Sequence, residues 1–281
     1  MGRLMSKIVY SLNHVCVSLN ADHNKLVLKD ISIQIRQGEQ IAVIGKSGAG
    51  KTTFLETLAL ANMPVSGQLK VFGDSPWLLS DPLRHKLRSS LFLTPQHPPL
   101  PPRQRVITTV LAGCLPQWSL WQALSSLFHP KNSALAYAAL QPFAIEEKIF
   151  TRVDRLSGGE RQRVSLARML ASNANILLVD EPLSALDPAL ANTVLNVIKQ
   201  EAKKRNATLI CSLHQTALAC SSFPRIIGLR DGKLLFDLPT AEVTQDLIAL
   251  LYQQTSTKDT DIFIGFNETE PKPPNLDENL C

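Results

Sequence analysis

The chain has 281 residues, of which 44% are apolar, and a formal net charge of +5. This apolar content excludes a disordered protein and is enough for a sizeable core in one large domain or two closely joined ones. The five cysteines are odd in number and include no C-x-x-C pair, which argues against both a zinc site and a disulfide framework.

Lysine and arginine are scattered along the sequence, apart from residues 84–88 and the pair Arg103 and Arg105. This distribution indicates a solvated basic face, so no nucleic-acid partner is expected. No apolar run approaches the roughly 20 residues that a membrane-spanning helix needs, and the N-terminal residues lack the apolar core of a secretion signal. We therefore expect a chain that works in a reducing cytoplasm and does not itself cross a membrane.

The first predicted element is an antiparallel β portion at residues 8–35. Short apolar pieces at 8–10, 15–17 and 31–35 are separated by segments that contain Asn and Asp, and Gly38 follows the last piece. Apolar pieces separated by such turn residues are typical of antiparallel strands.

A strand-like apolar stretch at residues 41–44 leads directly into a glycine-rich run, the phosphate loop (residues 45–52). The loop fills every fixed position of the G-x-x-x-x-G-K-[ST] pattern, which marks a nucleotide-triphosphate binder. Its glycines let successive N–H groups converge on phosphate, and Lys51 is predicted to reach the β- and γ-phosphates. Thr52 can take one coordination place on Mg²⁺. The predicted nucleotide-binding residues are Gly45, Lys46, Ser47, Gly48, Ala49, Gly50, Lys51, Thr52 and Thr53.

The segment after the phosphate loop is predicted as a helix over residues 53–62, which Pro64 and Gly67 end, and a short strand over 68–72. Residues 91–116 are rich in proline. Because proline removes the backbone donors that a helix or central strand needs, we expect this region to be largely a loop.

Two helices are predicted in the middle of the chain. Large apolar residues recur at helical spacing in residues 118–128, and residues 134–140 favour a second helix. Together they predict a small helical subdomain over about residues 97–165. The stripe at 118–128 favours a packed helix, and a surface Trp that docks a membrane subunit stays open as an alternative.

The C-terminal half alternates helices and strands. Helices are predicted at 161–171 and 189–204, and buried strands at 176–179 and 208–212. This alternation indicates a parallel sheet flanked by helices. Residues 254–281 are polar and contain proline, so we expect a flexible C-terminal tail.

Two adjacent acids, Asp180 and Glu181, follow the apolar strand at 176–179. Carboxylates at the end of a buried strand are costly unless a cation or substrate faces them. In a chain with a phosphate loop, we expect Asp180 to face the Mg²⁺ water shell and Glu181 to face the attacking water.

A second anion-binding helix start, the signature turn (residues 157–160), lies between the phosphate loop and these acids. Ser157, Gly158 and Gly159 open a predicted helix and are followed by Glu160. Because the first loop already encloses one nucleotide, a second such site in the same chain suggests a site that two chains share.

The string LSGGERQRV at residues 156–164 resembles the signature of ATP-binding cassette (ABC) ATPases, in which this segment of one subunit covers ATP held by another. The resemblance spans about residues 8–249, with the motifs in family order. It implies an α/β fold in which a P-loop NTPase (RecA-like) parallel-sheet core carries an antiparallel β subdomain and a small α-helical subdomain. On this reading residues 1–253 are the ABC ATPase domain.

The resemblance also implies roles for single residues. Gln96 looks like the glutamine that senses Mg²⁺ and the transmembrane partner, and His214 looks like the switch histidine that contacts the γ-phosphate. Glu181 and His214 are then catalytic, and Thr52, Gln96 and Asp180 form the metal site. The interface loop, similar to the family's dimer-crossing loop, consists of Ser184, Ala185, Leu186 and Asp187.

Two positions depart from the family pattern. Glu160 stands where the signature usually has glutamine, which places a carboxylate near the partner's nucleotide. Leu19 stands where an aromatic side chain normally stacks on adenine. An aliphatic side chain has no π face, so we expect weaker base recognition or a contribution from a neighbouring residue.

Four segments, at 110–113, 118–128, 212–215 and 225–232, resemble the ATP-binding subunit of phosphonate importers. The resemblance implies ATP and Mg²⁺ as cofactors and a second copy of the chain as the partner in an ATP-sandwich homodimer. It also implies a transmembrane permease and, indirectly, a periplasmic or extracytoplasmic substrate-binding protein. The expected location is the cytoplasmic face of the bacterial inner membrane, with phosphonate or a related phosphorus oxyanion as cargo.

Three alternatives stay open from the sequence. The chain could serve an importer of another small solute, or be a soluble regulatory ABC protein that acts on nucleic acid or ribosomes. The second alternative fits poorly because one cassette is present and no sustained heptads are found. A small-molecule kinase has no evident use for the signature turn.

Overall fold

The computed structural model describes residues 7–19, 25–118 and 133–253. The strands in these ranges are β1 (Ile8–Ser18), β2 (Leu26–Arg36), β3 (Gln40–Ile44), β4 (Ser66–Val71), β5 (Leu91–Thr94), β6 (Ile176–Asp180), β7 (Thr208–Ser212), β8 (Arg225–Arg230) and β9 (Lys233–Pro239). The α-helices are α1 (Lys51–Leu58), α2 (Asp81–Arg88), α3 (Val106–Leu111), α4 (Ser133–Leu140), α5 (Gly158–Ala171), α6 (Pro188–Lys204), α7 (Thr216–Ser222) and α8 (Gln245–Tyr252). Short 3-10 helices lie at Pro76–Leu78, Ala112–Gln117, Gln141–Phe143, Glu146–Lys148, Val153–Arg155 and Thr240–Glu242.

The strands form two sheets. A six-stranded sheet has the order β5-β6-β7-β3-β8-β9, in which β9 alone is antiparallel to its neighbour. A three-stranded antiparallel sheet has the order β2-β1-β4. Because parallel strands share one direction, the carboxyl ends of β3, β6 and β7 meet at one edge of the large sheet. The phosphate loop, the paired acids and His214 all follow those strand ends.

Two hydrophobic clusters of buried residues hold the layers together. One joins the small sheet and α1 to the large sheet, and includes Tyr10, Phe54 and Leu178. The other joins the large sheet to α3, α4, α5 and α6, and includes Phe143 and Val179. Leu178 and Val179 are neighbours on β6 with opposite facings, so the central strands are buried on both faces, as expected for a covered parallel sheet.

The N-terminal β portion contains longer strands than the sequence predicts. The apolar pieces at 8–10 and 15–17 belong to one continuous strand, β1, which is irregular at His14, where φ is 51°. The register with β2 shifts between Leu12 and Val15. An extra residue in one strand of a pair produces such a bulge, and it offsets the apolar alternation.

Gly67 lies inside β4, although the sequence assigned it to the end of the preceding helix. Its φ is +82°, and an added Cβ would stand 2.2 Å from the carbonyl oxygen of His14. We expect Gly67→Ala to lower the free energy of unfolding by about 3 kcal/mol or more, because both φ and the close backbone approach oppose a side chain. Urea unfolding measures the change.

Gly73→Ala is the matched control for that substitution. Gly73 also has a positive φ, +94°, but nothing lies within 4 Å of its added Cβ. Its cost is the backbone strain alone, about 1–2 kcal/mol. Equal losses in the two variants would contradict the role of the close approach.

The prediction that residues 91–116 are largely a loop is wrong at both ends. Residues 91–94 form the edge strand β5, and residues 106–111 form helix α3. The prolines of this region are concentrated at positions 95–102. The residues on either side therefore keep the backbone N–H groups that a strand or a helix needs. An edge strand also needs only one partner, here β6.

Other predicted elements differ only at their ends. The helix predicted at 53–62 begins at Lys51 and ends at Leu58, followed by Leu60 at a left-handed φ of 61°. The helices at 161–171 and 189–204 begin at Gly158 and Pro188 instead. Residues 119–132 and the predicted tail at 254–281 lie outside the described residues, so the stripe at 118–128 is described only at Trp118, which packs against the core. In the described ranges, no helix has both the length and the apolar character needed to span a bilayer.

Candidate nucleotide site

The phosphate loop connects β3 to α1 and has the backbone that its glycines allow. Gly48 and Gly50 have φ of +80° and +101°, and Gly50 is the residue before the first turn of α1. An added Cβ on Gly45 would lie 2.2 Å from the carbonyl oxygen of Leu229. The loop therefore rests directly on the backbone of β8 and leads into a helix N-terminus, which is an arrangement suited to phosphate.

The ammonium of Lys51 lies inside the loop. Its Nζ donates to the carbonyl oxygens of Gly45, at 2.9 Å, and Lys46, at 3.1 Å. Only 5% of the residue is exposed, and burial lowers the pKa of Lys51, an effect that Glu181 and Asp180 oppose. A point charge held by the loop and close to two carboxylates is placed to bind a phosphate oxygen.

Asp180 is the centre of a hydrogen-bond network at the end of β6. Thr52 Oγ1 donates to its Oδ2 at 2.7 Å, and Ser212 Oγ donates to its Oδ1 at 2.5 Å. The register pairs Asp180 with Ser212 on the neighbouring strand β7. The hydroxyl of Thr52 and the carboxylate of Asp180 thus meet at one point, where they offer the oxygen donors that Mg²⁺ prefers.

Glu181 has the strained backbone of a residue fixed by its surroundings. Its φ is 47° and it is 8% exposed. Gln96 Nε2 donates to Glu181 Oε2 at 2.5 Å, His214 Nε2 lies 2.5 Å from Oε1, and Lys51 Nζ lies 4.0 Å from Oε1. Its backbone N–H donates to Ser212 Oγ at 3.0 Å. A left-handed non-glycine residue with these restraints is typical of a functional position.

One cavity joins these groups. It has a volume of about 250 Å³ and is lined by Val27, Ser47, Gly48, Gly50, Lys51, Thr52, Thr53, Gln96, Glu181 and His214. The structure therefore brings together the phosphate loop, both predicted catalytic residues and Gln96. Of the three predicted metal ligands, Thr52 and Asp180 are hydrogen-bonded to each other. The third, Gln96, donates from its amide nitrogen to the carboxylate of Glu181 instead.

The signature turn forms a capping box at the start of α5. Glu160 N donates to Ser157 Oγ at 3.2 Å, and Ser157 N donates to Glu160 Oε2 at 2.7 Å. Lys148 Nζ lies 3.7 Å from Glu160 Oε1. The carboxylate expected near a partner's nucleotide is thus directed back to its own helix start and next to a cation.

The interface loop packs against the signature turn in the same chain. A Cβ on Gly159 would lie 3.0 Å from the carbonyl oxygen of Ala185 and 3.2 Å from a methyl carbon of Leu186. At one end of the loop, Ser184 Oγ donates to the carbonyl of Glu181 at 3.2 Å. At the other end, Asp187 Oδ1 accepts from Leu190 N at 3.0 Å and caps α6. The loop therefore links the signature turn to the acid that faces the cavity.

Comparison with known proteins decides the family. The sequence profile of a family described as "ABC transporter" matches residues 28–184, more than half of the chain. The chain belongs to the ABC transporter family.

Similar curated proteins come from bacteria. The chain is 55% identical to "Phosphonates import ATP-binding protein PhnC 2" of Albidiferax ferrireducens over 227 residues, which are 81% of this chain and 82% of that protein. It is 56% identical to "Phosphonates import ATP-binding protein PhnC" of Polaromonas sp. over 227 residues, with the same coverage of 81% and 82%.

Solved structures show the same fold. A dimeric, post-hydrolysis ATP-binding cassette, MJ0796, bound to ADP and Pi matches with a TM-score of 0.70 and 25% identity, over 82% of this chain and 98% of that one. A bacterial Atm1-family ABC exporter with ATP bound matches with a TM-score of 0.72 and 23% identity, over 91% of this chain and 44% of that one. The P-loop NTPase fold predicted from the motifs is confirmed.

Sequence reasoning missed two residues of this ABC site. Ser212 bonds both Asp180 and the backbone of Glu181, and Val27 lines the cavity beside the phosphate loop. Ser212 carries a usable signal, since it is a polar residue that ends a predicted apolar strand of the parallel sheet. Val27 carries none, because it reaches the cavity through tertiary packing of β2 on the phosphate loop, where an added Cβ on Gly50 would lie 3.4 Å from its carbonyl oxygen.

The adenine position stays a prediction. Leu19 is 56% exposed just after the end of β1. Tyr10 and His14, the two residues of β1 with aromatic rings, are engaged elsewhere. Tyr10 is fully buried and donates from its hydroxyl to the Leu58 carbonyl, and His14 Nδ1 lies 2.6 Å from Asp30 Oδ1.

The capping box of this ABC chain predicts a pH effect. The hydrogen bond from Ser157 N is the largest cause that lowers the pKa of Glu160 below its ordinary 4.5, and Ser157 Oγ, Lys148 and Arg163 add to it against the effect of burial. A lowered folded-state pKa adds stability above pH 4.5, which is lost as the pH falls through the folded-state value. We expect Glu160→Gln to cost about 0.3–1 kcal/mol of unfolding free energy at pH 7.

Urea unfolding of both proteins from pH 7 to pH 3 measures this difference. The gap between wild type and Glu160→Gln should narrow below pH 4.5 and close once the carboxyl is protonated. A gap that is constant over this range would contradict the charge-dependent cap.

Proposed function

We propose that this chain is the ATP-hydrolysing subunit of an importer and that it couples ATP binding and hydrolysis to uptake of phosphonate, or a related phosphorus oxyanion, through a separate permease. The observation that carries the reaction is the convergence of Lys51, Thr52 and Glu181 on one cavity at the carboxyl ends of the parallel strands. Asp180 lies directly behind it and accepts a hydrogen bond from Thr52. The cargo is supported by relatives that are 55% and 56% identical and are named for phosphonate import.

The residues divide the chemistry between binding and proton handling. The phosphate loop and Lys51 hold the triphosphate and stabilise the charge that develops on the transferred group. Glu181, held by Gln96 and His214, orients the attacking water and accepts hydrogen bonds from it. The contact of His214 with Glu181 supports a role for His214 in holding the geometry around the γ-phosphate.

Mg²⁺ fits the donors that the chain presents. The hydroxyl of Thr52 and the carboxylate of Asp180 are 2.7 Å apart, and Ser212 fixes the other carboxylate oxygen. Thr52 and Asp180 would hold the ion. Gln96 would lie near it, because Gln96 is hydrogen-bonded to Glu181, the residue after Asp180. When bound, the ion neutralises phosphate charge.

The site is completed by a second copy of the chain. The match to a dimeric ATP-binding cassette supports a head-to-tail pair in which the signature turn of one subunit, through Ser157 and the glycines after it, covers the ATP of the other. The capping box uses the N–H groups of Ser157 and Glu160, so we assign the contact with the partner's ATP to the N–H groups of Gly158 and Gly159. The dimer works on the cytoplasmic face of the inner membrane, attached through its permease, and a substrate-binding protein outside the membrane delivers the cargo.

Reconstituted transport tests this proposal. The chain is assembled in proteoliposomes with a candidate permease and a candidate binding protein, and ATP hydrolysis is measured with methylphosphonate, phosphate or sulfate on the binding-protein side. We expect methylphosphonate to stimulate hydrolysis and to enter the vesicles. Stimulation by an unrelated solute alone would contradict the cargo, and the absence of any ATP hydrolysis would contradict the enzyme assignment.

A further inference from the structure

The C-terminal helix α8 ends against the phosphate loop. The Nζ of Lys46, the second residue of that loop, donates to the carbonyl oxygen of Gln253 at 2.5 Å, and Arg230 Nη1 donates to the carbonyl oxygen of Leu250 at 2.7 Å. The last carbonyls of a helix lack partners within it, and cations are favoured at that end. Lys46 and Arg230 therefore cap α8 from outside.

The two capping residues lie on segments that contact each other, the phosphate loop and the end of β8. Arg230 ends β8, whose Leu229 carbonyl sits against Gly45 of the phosphate loop. Two residues on, Gly232 N donates to the carbonyl of Ala49 at 3.1 Å. A small cavity of about 90 Å³ between the loop and the end of α8 is lined by Lys46, Ser47, Gly48, Ala49, Arg230, Asp231, Leu251 and Gln253.

The same helix end reaches the segment of His214. Thr216, the first residue of α7, donates from Oγ1 to the hydroxyl of Tyr252 at 3.1 Å. Thr216 lies two residues after His214, and the neighbouring Leu251 is fully buried in the core. One short helix thus holds the phosphate loop through Lys46 and the His214 segment through Tyr252.

We propose that Lys46 and Tyr252 are positioning residues of the ATPase site, acting through the C-terminal helix. Lys46 keeps the phosphate loop in its binding conformation by its bond to Gln253, and does so without contacting phosphate. Tyr252 keeps His214 in place through Thr216. This inference rests on the proposed ATPase function, and it assigns the C-terminal helix a role in nucleotide affinity.

Lys46 and Arg230 variants separate this role from direct phosphate binding. We expect Lys46→Met and Arg230→Met each to raise the dissociation constant of MgADP and the KM for ATP about fivefold, with kcat within about twofold of wild type. The double variant should show less than the product of the two effects, because both bonds hold the end of the same helix. Lys46→Arg keeps the donor and should restore affinity. Arg230→Gln serves the same purpose if Arg230→Met does not fold.

Tyr252→Phe tests the other half of the helix end. Loss of the hydroxyl contact with Thr216 should lower kcat about fivefold and leave KM near the wild-type value, since small displacements of a group near the reacting centre affect rate strongly. This split between KM and kcat is a result that a general loss of stability would not produce.

Two results would overturn the inference. If Lys46→Met weakens MgADP binding while Arg230→Met and Arg230→Gln leave it unchanged, Lys46 acts directly on the nucleotide. If Lys46→Met and Arg230→Met bind MgADP as wild type does and Tyr252→Phe keeps the wild-type kcat, the helix has no positioning role. Binding is measured calorimetrically and independently of turnover. A wild-type chain that binds MgADP without hydrolysing ATP would contradict the proposed function and still decide the role assigned to Lys46.

Discussion

Glu181→Gln is expected to reduce the ATP hydrolysis rate by about 100-fold or more, because a positioned general base contributes a factor of that order. The substitution keeps the length of the side chain and removes its charge. In the structure the carboxylate is held by Gln96 and His214, so the variant loses the acceptor for the water proton without losing the surrounding fold. Steady-state phosphate release measures the loss.

The same variant should accumulate ATP-bound dimers, since binding proceeds and the step that separates the subunits is blocked. Size-exclusion chromatography with and without MgATP detects this species. Glu242→Gln, at an exposed glutamate in the 3-10 helix Thr240–Glu242, is the control and should hydrolyse ATP normally. Wild-type hydrolysis by Glu181→Gln would remove Glu181 from the catalytic role.

Lys51→Met is expected to abolish detectable hydrolysis and to weaken ATP binding by about 100-fold. The ammonium is buried in the phosphate loop, where a charge interacts with phosphate far more strongly than it does in water. Lys51→Arg should restore little activity, since a planar guanidinium does not replace a compact ammonium that donates to the Gly45 and Lys46 carbonyls. Fluorescent-nucleotide titration measures the affinity.

Lys70→Met controls for the general effect of losing a cation. Lys70 is a half-buried residue on β4, away from the residues that line the nucleotide cavity. The Lys70→Met variant should bind and hydrolyse ATP as wild type does. Unchanged nucleotide affinity in Lys51→Met would contradict the placement of the triphosphate in the phosphate loop.

The sequence predicts the strand-end chemistry well and the edges of the fold poorly. β3, β6 and β7 are short apolar runs followed by functional residues. A strand that is buried on both faces is apolar at nearly every position, so such strands are easy to recognise in the sequence. Residues 91–94 were missed because the prolines after them suggested a loop for the whole region. The bulge at His14 divides the apolar pattern of β1, so that one strand resembles two.

The motifs predict which residues meet, but not every contact that they make. The pattern places Gln96, Glu181 and His214 near one nucleotide, and the structure joins all three by hydrogen bonds or close polar contacts. The direction of the Glu160 carboxylate depends on capping geometry, which follows from S-x-x-E spacing once the helix start is known. The contact of Lys46 with Gln253 spans 207 residues and has no local signal.

Mixing two inactive variants tests the shared site most directly. In the Glu181→Gln background, Lys51→Met disables the phosphate loop and Ser157→Arg disables the signature turn. A head-to-tail pair of one chain of each kind contains one intact composite site, in which the phosphate loop comes from the Ser157→Arg chain and the signature turn from the Lys51→Met chain.

Native mass spectrometry of the separate and mixed variants with MgATP is the decisive measurement. The account predicts that the mixture forms dimers with one chain of each kind and one bound ATP, while neither variant alone forms an ATP-dependent dimer. ATP-dependent dimers of the Ser157→Arg variant alone, or none in the mixture under conditions in which the Glu181→Gln parent dimerises, would contradict a site built from two subunits.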